Sequence, residues 1–272
     1  MNSLLQRAKA FNTKKSLGQN FLVSEEYLQK IVEAIDAKSS DNILEIGPGI
    51  GFLTEQLALS GAQIMAIDLD ERAIGHISCQ DKVKILKADA LHFDLNSPNK
   101  PYMVVGNLPF NVGTKILLRF IGELDEADWA IKGIDKMVLM FQKEVAERLC
   151  AKPSSKAYNP LSLLVQSKSQ IEYLFTVPAK CFCPIPKVTA GVVLIKPLEN
   201  NLLQNLSPIE RQNFKKIIKT AFSTRRKNLK NALQSLFKPE QLRSLNISPE
   251  LRPENLTLED YLKLAQSLSA GL

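Results

Sequence analysis

Asn107, Leu108, Pro109 and Phe110 form an Asn-x-Pro-aromatic quartet directly after the apolar run Tyr102-Met103-Val104-Val105. The run reads as a buried strand. A quartet at its end can hold an amino group attached to a flat ring. The Asn side-chain oxygen and a carbonyl near Leu108 can accept the amine's hydrogens, and the Phe110 ring can stack on the base face. That chemistry is needed where a nitrogen in the plane of a nucleobase attacks an electrophile. Asn and Pro are also ordinary turn residues, so taken alone the same four residues read as a turn.

Three upstream features add weight. Glu45-x-Gly47-x-Gly49-x-Gly51 sits between an expected strand and an expected helix, where a glycine turn lets backbone approach a ligand. A dinucleotide fingerprint wants G-x-G-x-x-G. The spacing here, with Pro48 inside it, favours an adenosyl ligand without a pyrophosphate, as in class I methyltransferases. Asp68 ends the second strand, where a carboxylate can accept both ribose hydroxyls. Asp89 follows the third strand, where it would accept from an adenine amino group, with Ala90 leaving room for the ring. Asp70 and Glu71 read as exposed turn acids. Lys14-Lys15-Ser16-Leu17-Gly18-Gln19-Asn20-Phe21-Leu22 could close over a ligand as a lid, or be a polar helix cap.

These residues need a scaffold, and the apolar pattern supplies one. Strands are expected at 41–46, 63–67, 83–87, 102–105 and 136–141, alternating with helices at 52–60, 71–78, 114–121 and 143–150. Alternation of this kind predicts an α/β fold with a doubly wound, mostly parallel sheet. The stretches 170–177 and 190–196 fit later strands, and 161–167 fits either a strand or a helix. From Ile209 onward the pattern is helical only, after a Ser207-Pro208 helix start. The expected organisation is a ligand-binding domain over 1–200 and a small all-helical domain over 201–272.

The 272 residues are 45% hydrophobic and 23% charged, an ordinary globular composition. No apolar run reaches the length of a membrane span, and the polar N-terminus has no secretory h-region. Four scattered cysteines and two histidines argue against zinc and for a reduced, cytoplasmic setting. The net charge of +7 is unevenly placed. Residues 1–24 carry four cations and no acid. Residues 211–239 carry nine (Arg211, Lys215, Lys216, Lys219, Arg225, Arg226, Lys227, Lys230 and Lys238) and again no acid. Such zones predict a polyanionic partner, against the plainer reading of a solvated helix face.

With these residues in place, the chain resembles the KsgA (RsmA) type ribosomal RNA small-subunit adenine N6,N6-dimethyltransferase family. The resemblance runs nearly end to end. It rests on Ser16-Leu17-Gly18-Gln19-Asn20-Phe21-Leu22, the Glu45 to Gly51 loop, Asn107-Leu108-Pro109-Phe110-Asn111 and Gln142 to Leu149. It continues through Ser155-Lys156-Ala157-Tyr158, Phe182-x-Pro184-x-Pro186-Lys187-Val188 and Ala221-Phe222-x-x-Arg225-Arg226-Lys227. Phe110 stands where Tyr is common, and Cys181 and Cys183 flank Phe182 where small or polar residues are expected.

The resemblance implies a class I methyltransferase Rossmann-like fold and an S-adenosyl-L-methionine cofactor. It implies contacts to that cofactor from Asn20, Leu22, Gly47, Asp68, Asp89 and Asn107. Asn107, Leu108, Pro109 and Phe110 would form the catalytic quartet, and Phe110 and Phe182 would stack the flipped target adenine. Lys187, Arg225, Arg226 and Lys227 would grip RNA backbone. The implied substrate is two adjacent adenines in a 3′-terminal hairpin loop of small-subunit (16S) rRNA, within a late 30S assembly intermediate, with the enzyme a monomer and no metal. Two alternatives stand beside it. One is a large-subunit rRNA adenine methyltransferase conferring antibiotic resistance. The other is a ribosome assembly factor with dispensable catalysis. Leu251-Arg252-Pro253-Glu254 and the 221–227 stretch favour the housekeeping family. A nicotinamide dehydrogenase fails on glycine spacing and on the lack of a catalytic His or Tyr-Lys arrangement.

Overall fold

A computed structural model of the chain describes residues 3–14, 17–79, 83–95 and 102–270. Lys15 and Ser16 of the expected lid lie outside the described residues. In chain order the strands are β1 (Phe21–Leu22), β2 (Asn42–Ile46), β3 (Gln63–Asp68), β4 (Val83–Lys87), β5 (Tyr102–Asn107), β6 (Ile134–Gln142), β7 (Ser169–Val177), β8 (Phe182–Cys183) and β9 (Ala190–Pro197). The helices are α1 (Ser3–Ala10), α2 (Glu25–Ile35), α3 (Phe52–Ala58), α4 (Glu71–Ile74), α5 (Gly113–Ile121), α6 (Lys143–Leu149), α7 (Pro160–Lys168), α8 (Pro208–Ser223), α9 (Leu229–Ala232), α10 (Pro239–Ser244) and α11 (Leu258–Ser269).

The chain divides into two compact units. The first comprises Met1–Phe120, Ile131–Ala146 and Ile171–Pro197, and the second Ile121–Ala130, Glu147–Gln170 and Leu198–Leu272. The last division falls at Pro197–Leu198, beside the boundary expected near residue 200. The second unit also takes in two stretches that the sequence reading assigned to the first domain.

The first unit is built on a seven-stranded sheet of order β4-β3-β2-β5-β6-β9-β7. Strands β4, β3, β2, β5 and β6 run parallel, and β9 pairs antiparallel with β6. Residues 102–106 of β5 are buried at every position. A strand covered on both faces reads as a continuous apolar run, which is why the sequence marked it. The order reverses between β2 and β5, so their carboxyl ends flank the crevice where open α/β sheets bind ligands. A separate two-stranded pairing joins β1 to β8 in antiparallel register, Phe21 opposite Cys183 and Leu22 opposite Phe182.

The second unit is mostly helical. Helix α8 starts on a capping box in which Ser207 and Glu210 satisfy each other's backbone amides, with Pro208 at the first turn. Helix α11 starts the same way on Thr257 and Asp260. The Phe222 and Tyr261 rings stack at 6.2 Å. The stretch left open between strand and helix is helix α7, capped by Asn159.

Candidate adenosyl and target-amine site

The glycine loop after β2 begins the site. Gly49 has φ +56°, and a Cβ there would lie 2.7 Å from the Phe21 ring, so only glycine lets that ring seat on the turn. Gly47 has φ +70°, and a Cβ there would meet nothing nearer than 3.9 Å. The space beside it is open for a ligand to approach the backbone.

Asp68 is held from both sides. Its Oδ2 accepts the Gly49 amide at 3.0 Å and its Oδ1 accepts the Asp70 amide at 2.8 Å. Burial raises its pKa above the usual carboxylate value, and these amides oppose the rise. Each oxygen keeps a further lone pair for a hydroxyl donor. Asp89 accepts the Leu91 amide at 2.8 Å and lies 3.0 Å from His92 Nδ1. The Leu91 amide is the main reason that its pKa is lowered.

Asp70 is not the exposed turn acid expected from sequence. It is 4% exposed and accepts Gln19 Nε2 at 2.8 Å, Arg72 Nε at 2.9 Å and another Arg72 nitrogen at 2.7 Å. The Arg72 guanidinium holds its pKa down to about 2. The neighbouring Asn20 carbonyl accepts Asn107 Nδ2 at 2.9 Å. The dipeptide Gln19-Asn20 thus ties the carboxylate turn after β3 to the quartet after β5. Further back, Arg7 forms a forked ion pair with Glu55 at 2.7 and 2.8 Å and lies over the Phe52 ring. No sequence signal marks Asp70 or Arg7 for these long-range roles, because Gln19 and Glu55 lie tens of residues from them.

The Asn107 bond to Asn20 spends the amide nitrogen and leaves Oδ1 as an acceptor. The Pro109 carbonyl is taken by the Val112 and Gly113 amides. The Leu108 carbonyl accepts no hydrogen bond among the described residues and, preceding a proline, has no adjacent amide in competition.

These groups surround one cavity of about 310 Å³. Asn20, Gly47, Asp68, Asp89, Asn107, Leu108, Pro109 and Phe110 all line it, with Ile67, Leu69, Ala90 and Ile116 as apolar walls. Two carboxylates, an open glycine and apolar slots fit an adenosyl group carrying a positive charge.

Two expected contacts lie elsewhere. Leu22 lines a smaller adjoining cavity of about 40 Å³ with Glu45, Gly47 and Asn107. Phe182 is 1% exposed and belongs to the apolar core, on the strand β8 that pairs with β1. Phe182 does not line the large cavity, whereas Phe110 and Phe21 do. Glu45 is 1% exposed, its Oε2 has no hydrogen-bond partner among the described residues, and burial pushes its pKa up to about 8.

The basic zone of the second unit is also less free than its composition implies. Arg225, Arg226 and Lys227 lie on the turn after α8 rather than on a helix. Arg225 donates to the Lys156 carbonyl and lies 3.6 Å from Glu254. Lys215 pairs with Asp125 and Glu123, Lys230 pairs with Glu250, and Arg211 donates to the Leu203 and Leu206 carbonyls. Lys216, Lys219, Arg226 and Lys227 are exposed, and so is Lys187 in the first unit.

The ribosomal RNA adenine dimethylase profile matches residues 10–270. The chain belongs to this family. It is therefore an S-adenosylmethionine-dependent rRNA adenine dimethyltransferase. Proteins named ribosomal RNA small subunit methyltransferase A from Lactobacillus helveticus and Legionella pneumophila are each 37% identical to it. The match covers 94% of this chain in both cases, and 92% and 98% of those proteins. Among solved structures, a dimethyladenosine transferase from Plasmodium falciparum superposes with a TM-score of 0.73 at 24% identity, covering 89% of this chain and 94% of that one. The 23S rRNA methyltransferase ErmE does so with 0.70 at 20% identity, covering 92% and 99%. Both share the class I methyltransferase fold. Among the described residues no helix is long and apolar enough to cross a membrane, and no side-chain cluster could hold a metal ion.

Proposed function

We propose that this enzyme dimethylates N6 of two adjacent adenines in a 3′-terminal hairpin loop of small-subunit (16S) rRNA. It does so as a cytoplasmic monomer acting on a late 30S assembly intermediate. The names of its relatives support the small subunit as substrate. The likeness to the 23S enzyme is one of fold, so the large-subunit reading has no comparable support. The intact arrangement of Asp68, Asp89 and Asn107 speaks against a factor whose catalysis has been lost.

The observation that carries the site is the Asn107–Asn20 bond, which fixes the amide so that Oδ1 remains to accept from a target amine. Asp68 takes the ribose hydroxyls, Asp89 the cofactor's adenine amine, and Gly47 lets the ligand approach the protein backbone. When bound, S-adenosylmethionine supplies a methyl group on an electrophilic sulfonium. The protein's task is then positioning. Adenine N6 is a poor nucleophile because its lone pair is delocalised into the ring. In the first transfer Asn107 Oδ1 and the Leu108 carbonyl hold the two N6 hydrogens, and in the second the one that remains. They favour a pyramidal nitrogen and stabilise the positive charge that develops on it until its proton is released. Phe110 stacks on the extruded base. Lys187, Arg226 and Lys227 hold phosphates without reading sequence.

Incubation with undermethylated small subunits and labelled cofactor tests this reading. The wild-type protein yields N6,N6-dimethyladenosine, and Asn107→Ala slows transfer by about 100-fold or more while subunit binding persists. Equal loss of binding and transfer would make Asn107 structural and sink the assignment.

A further inference from the structure

The loop between β8 and β9 leaves two branched aliphatic side chains in solvent, Ile185 at 69% and Val188 at 41% exposure. Single exposed aliphatics are ordinary, so what matters is where these stand. At one end of the loop, Cys183 pairs with Phe21, which lines the large cavity. At the other, Ala190 pairs with Gln142, two residues beyond the Met140 that pairs with Asn107. The Lys143 amide also holds the Thr189 carbonyl at 2.9 Å. One anchor therefore pairs with a residue of the cavity wall, and the other lies on the large sheet near the end of β5 that carries the quartet. Lys180 precedes the loop and Lys187 stands between the two aliphatics, and both lysines are exposed.

We propose that Ile185, backed by Val188, is an apolar wedge that packs against the RNA bases left unstacked when the target adenine enters the cavity. The proposal rests on the reading of that cavity as the adenine site. Extruding a base uncovers the faces of its neighbours, and a protein that replaces the lost stack lowers the cost. Aliphatic side chains pushed between base steps do this in other nucleic-acid complexes. The two lysines suit the phosphates of the same strand. An apolar pair interleaved with lysine matches a strand of bases on an anionic backbone better than it matches an apolar protein face.

Full-length Ile185→Ala, Ile185→Asp and Ile185→Leu proteins would be assayed for methyl transfer to undermethylated small subunits and to protein-free small-subunit RNA. Cofactor affinity and melting temperature would be measured alongside. A wedge predicts roughly tenfold slower transfer for the Ala protein, a larger loss for Asp, and near wild-type rates for Leu. It also predicts unchanged cofactor affinity and melting temperature, because the side chain is exposed. Equal rates in all four proteins overturn the proposal, and so does a fall in cofactor affinity that parallels the fall in rate. A loss confined to intact subunits would place a ribosomal protein on the loop and overturn the RNA wedge. Failure of the wild-type protein to methylate any RNA would instead overturn the reading of the cavity.

Discussion

Asp70 turns a local acid into a long-range tie. Its carboxylate gathers Gln19 and Arg72 while its own amide supports Asp68. Asp70→Ala should therefore raise the KM for S-adenosylmethionine by about tenfold, the scale of one charge-assisted hydrogen bond, with a smaller effect on kcat. An unchanged KM would show that the Gln19 tie is dispensable. Glu45 makes a prediction of a different kind. Its pKa in the folded protein is about 8, against an ordinary value of 4.5. Between these values the folded state holds a proton that the unfolded state has released. Stability from this group therefore falls as pH rises from about 4.5 to about 8 and levels off above. Glu45→Gln should flatten that stretch of a melting-temperature profile, and an unaltered slope would mean that the burial cost is met in another way.

At the scale of elements, the strands were legible because each is a short apolar run bounded by Gly, Asp or Asn. Strand β4 occupies the predicted 83–87, and β3 and β5 extend their predictions by one or two residues. Helix α4 stops at Ile74, short of the predicted 78. The β1–β8 pairing was not legible, because it joins two dipeptides far apart in sequence, and the burial of Phe182 beside it was not legible either. Local pattern likewise could not show that acids elsewhere in the second unit pair with much of the cationic zone. Arg226→Glu with Lys227→Glu should weaken subunit binding and reduce its salt dependence by about two charges, whereas Arg225→Ala should mainly loosen its own turn. Binding that is unchanged at moderate salt would remove Arg226 and Lys227 from the RNA surface. Lys168, fully buried in α7, donates to the carbonyls of Ile121, Glu123 and Asp128 at 2.7 to 3.1 Å. Burial lowers its pKa to about 8, so it is still largely charged at neutral pH. Lys168→Met leaves those carbonyls without a donor and should destabilise the second unit by about 2–3 kcal/mol in denaturant unfolding. A loss well under 1 kcal/mol would mean that the segment does not depend on this staple.

For the whole molecule, composition and charge pointed to a polyanion, and motif order pointed to an adenosyl ligand and a nucleobase amine. The structure brings Asp68, Asp89 and Asn107 around one cavity and supplies, through Gln19 and Asn20, a connection between its two ends that residue types alone did not reveal. We propose that this cavity serves small-subunit RNA. The most direct measurement offers the enzyme undermethylated small and large subunits together with labelled cofactor, then maps the modified positions by blocked reverse transcription. Two adjacent blocks in the 3′-terminal hairpin of the small-subunit RNA, with none in large-subunit RNA, are the predicted result. Blocks in large-subunit RNA alone would contradict it.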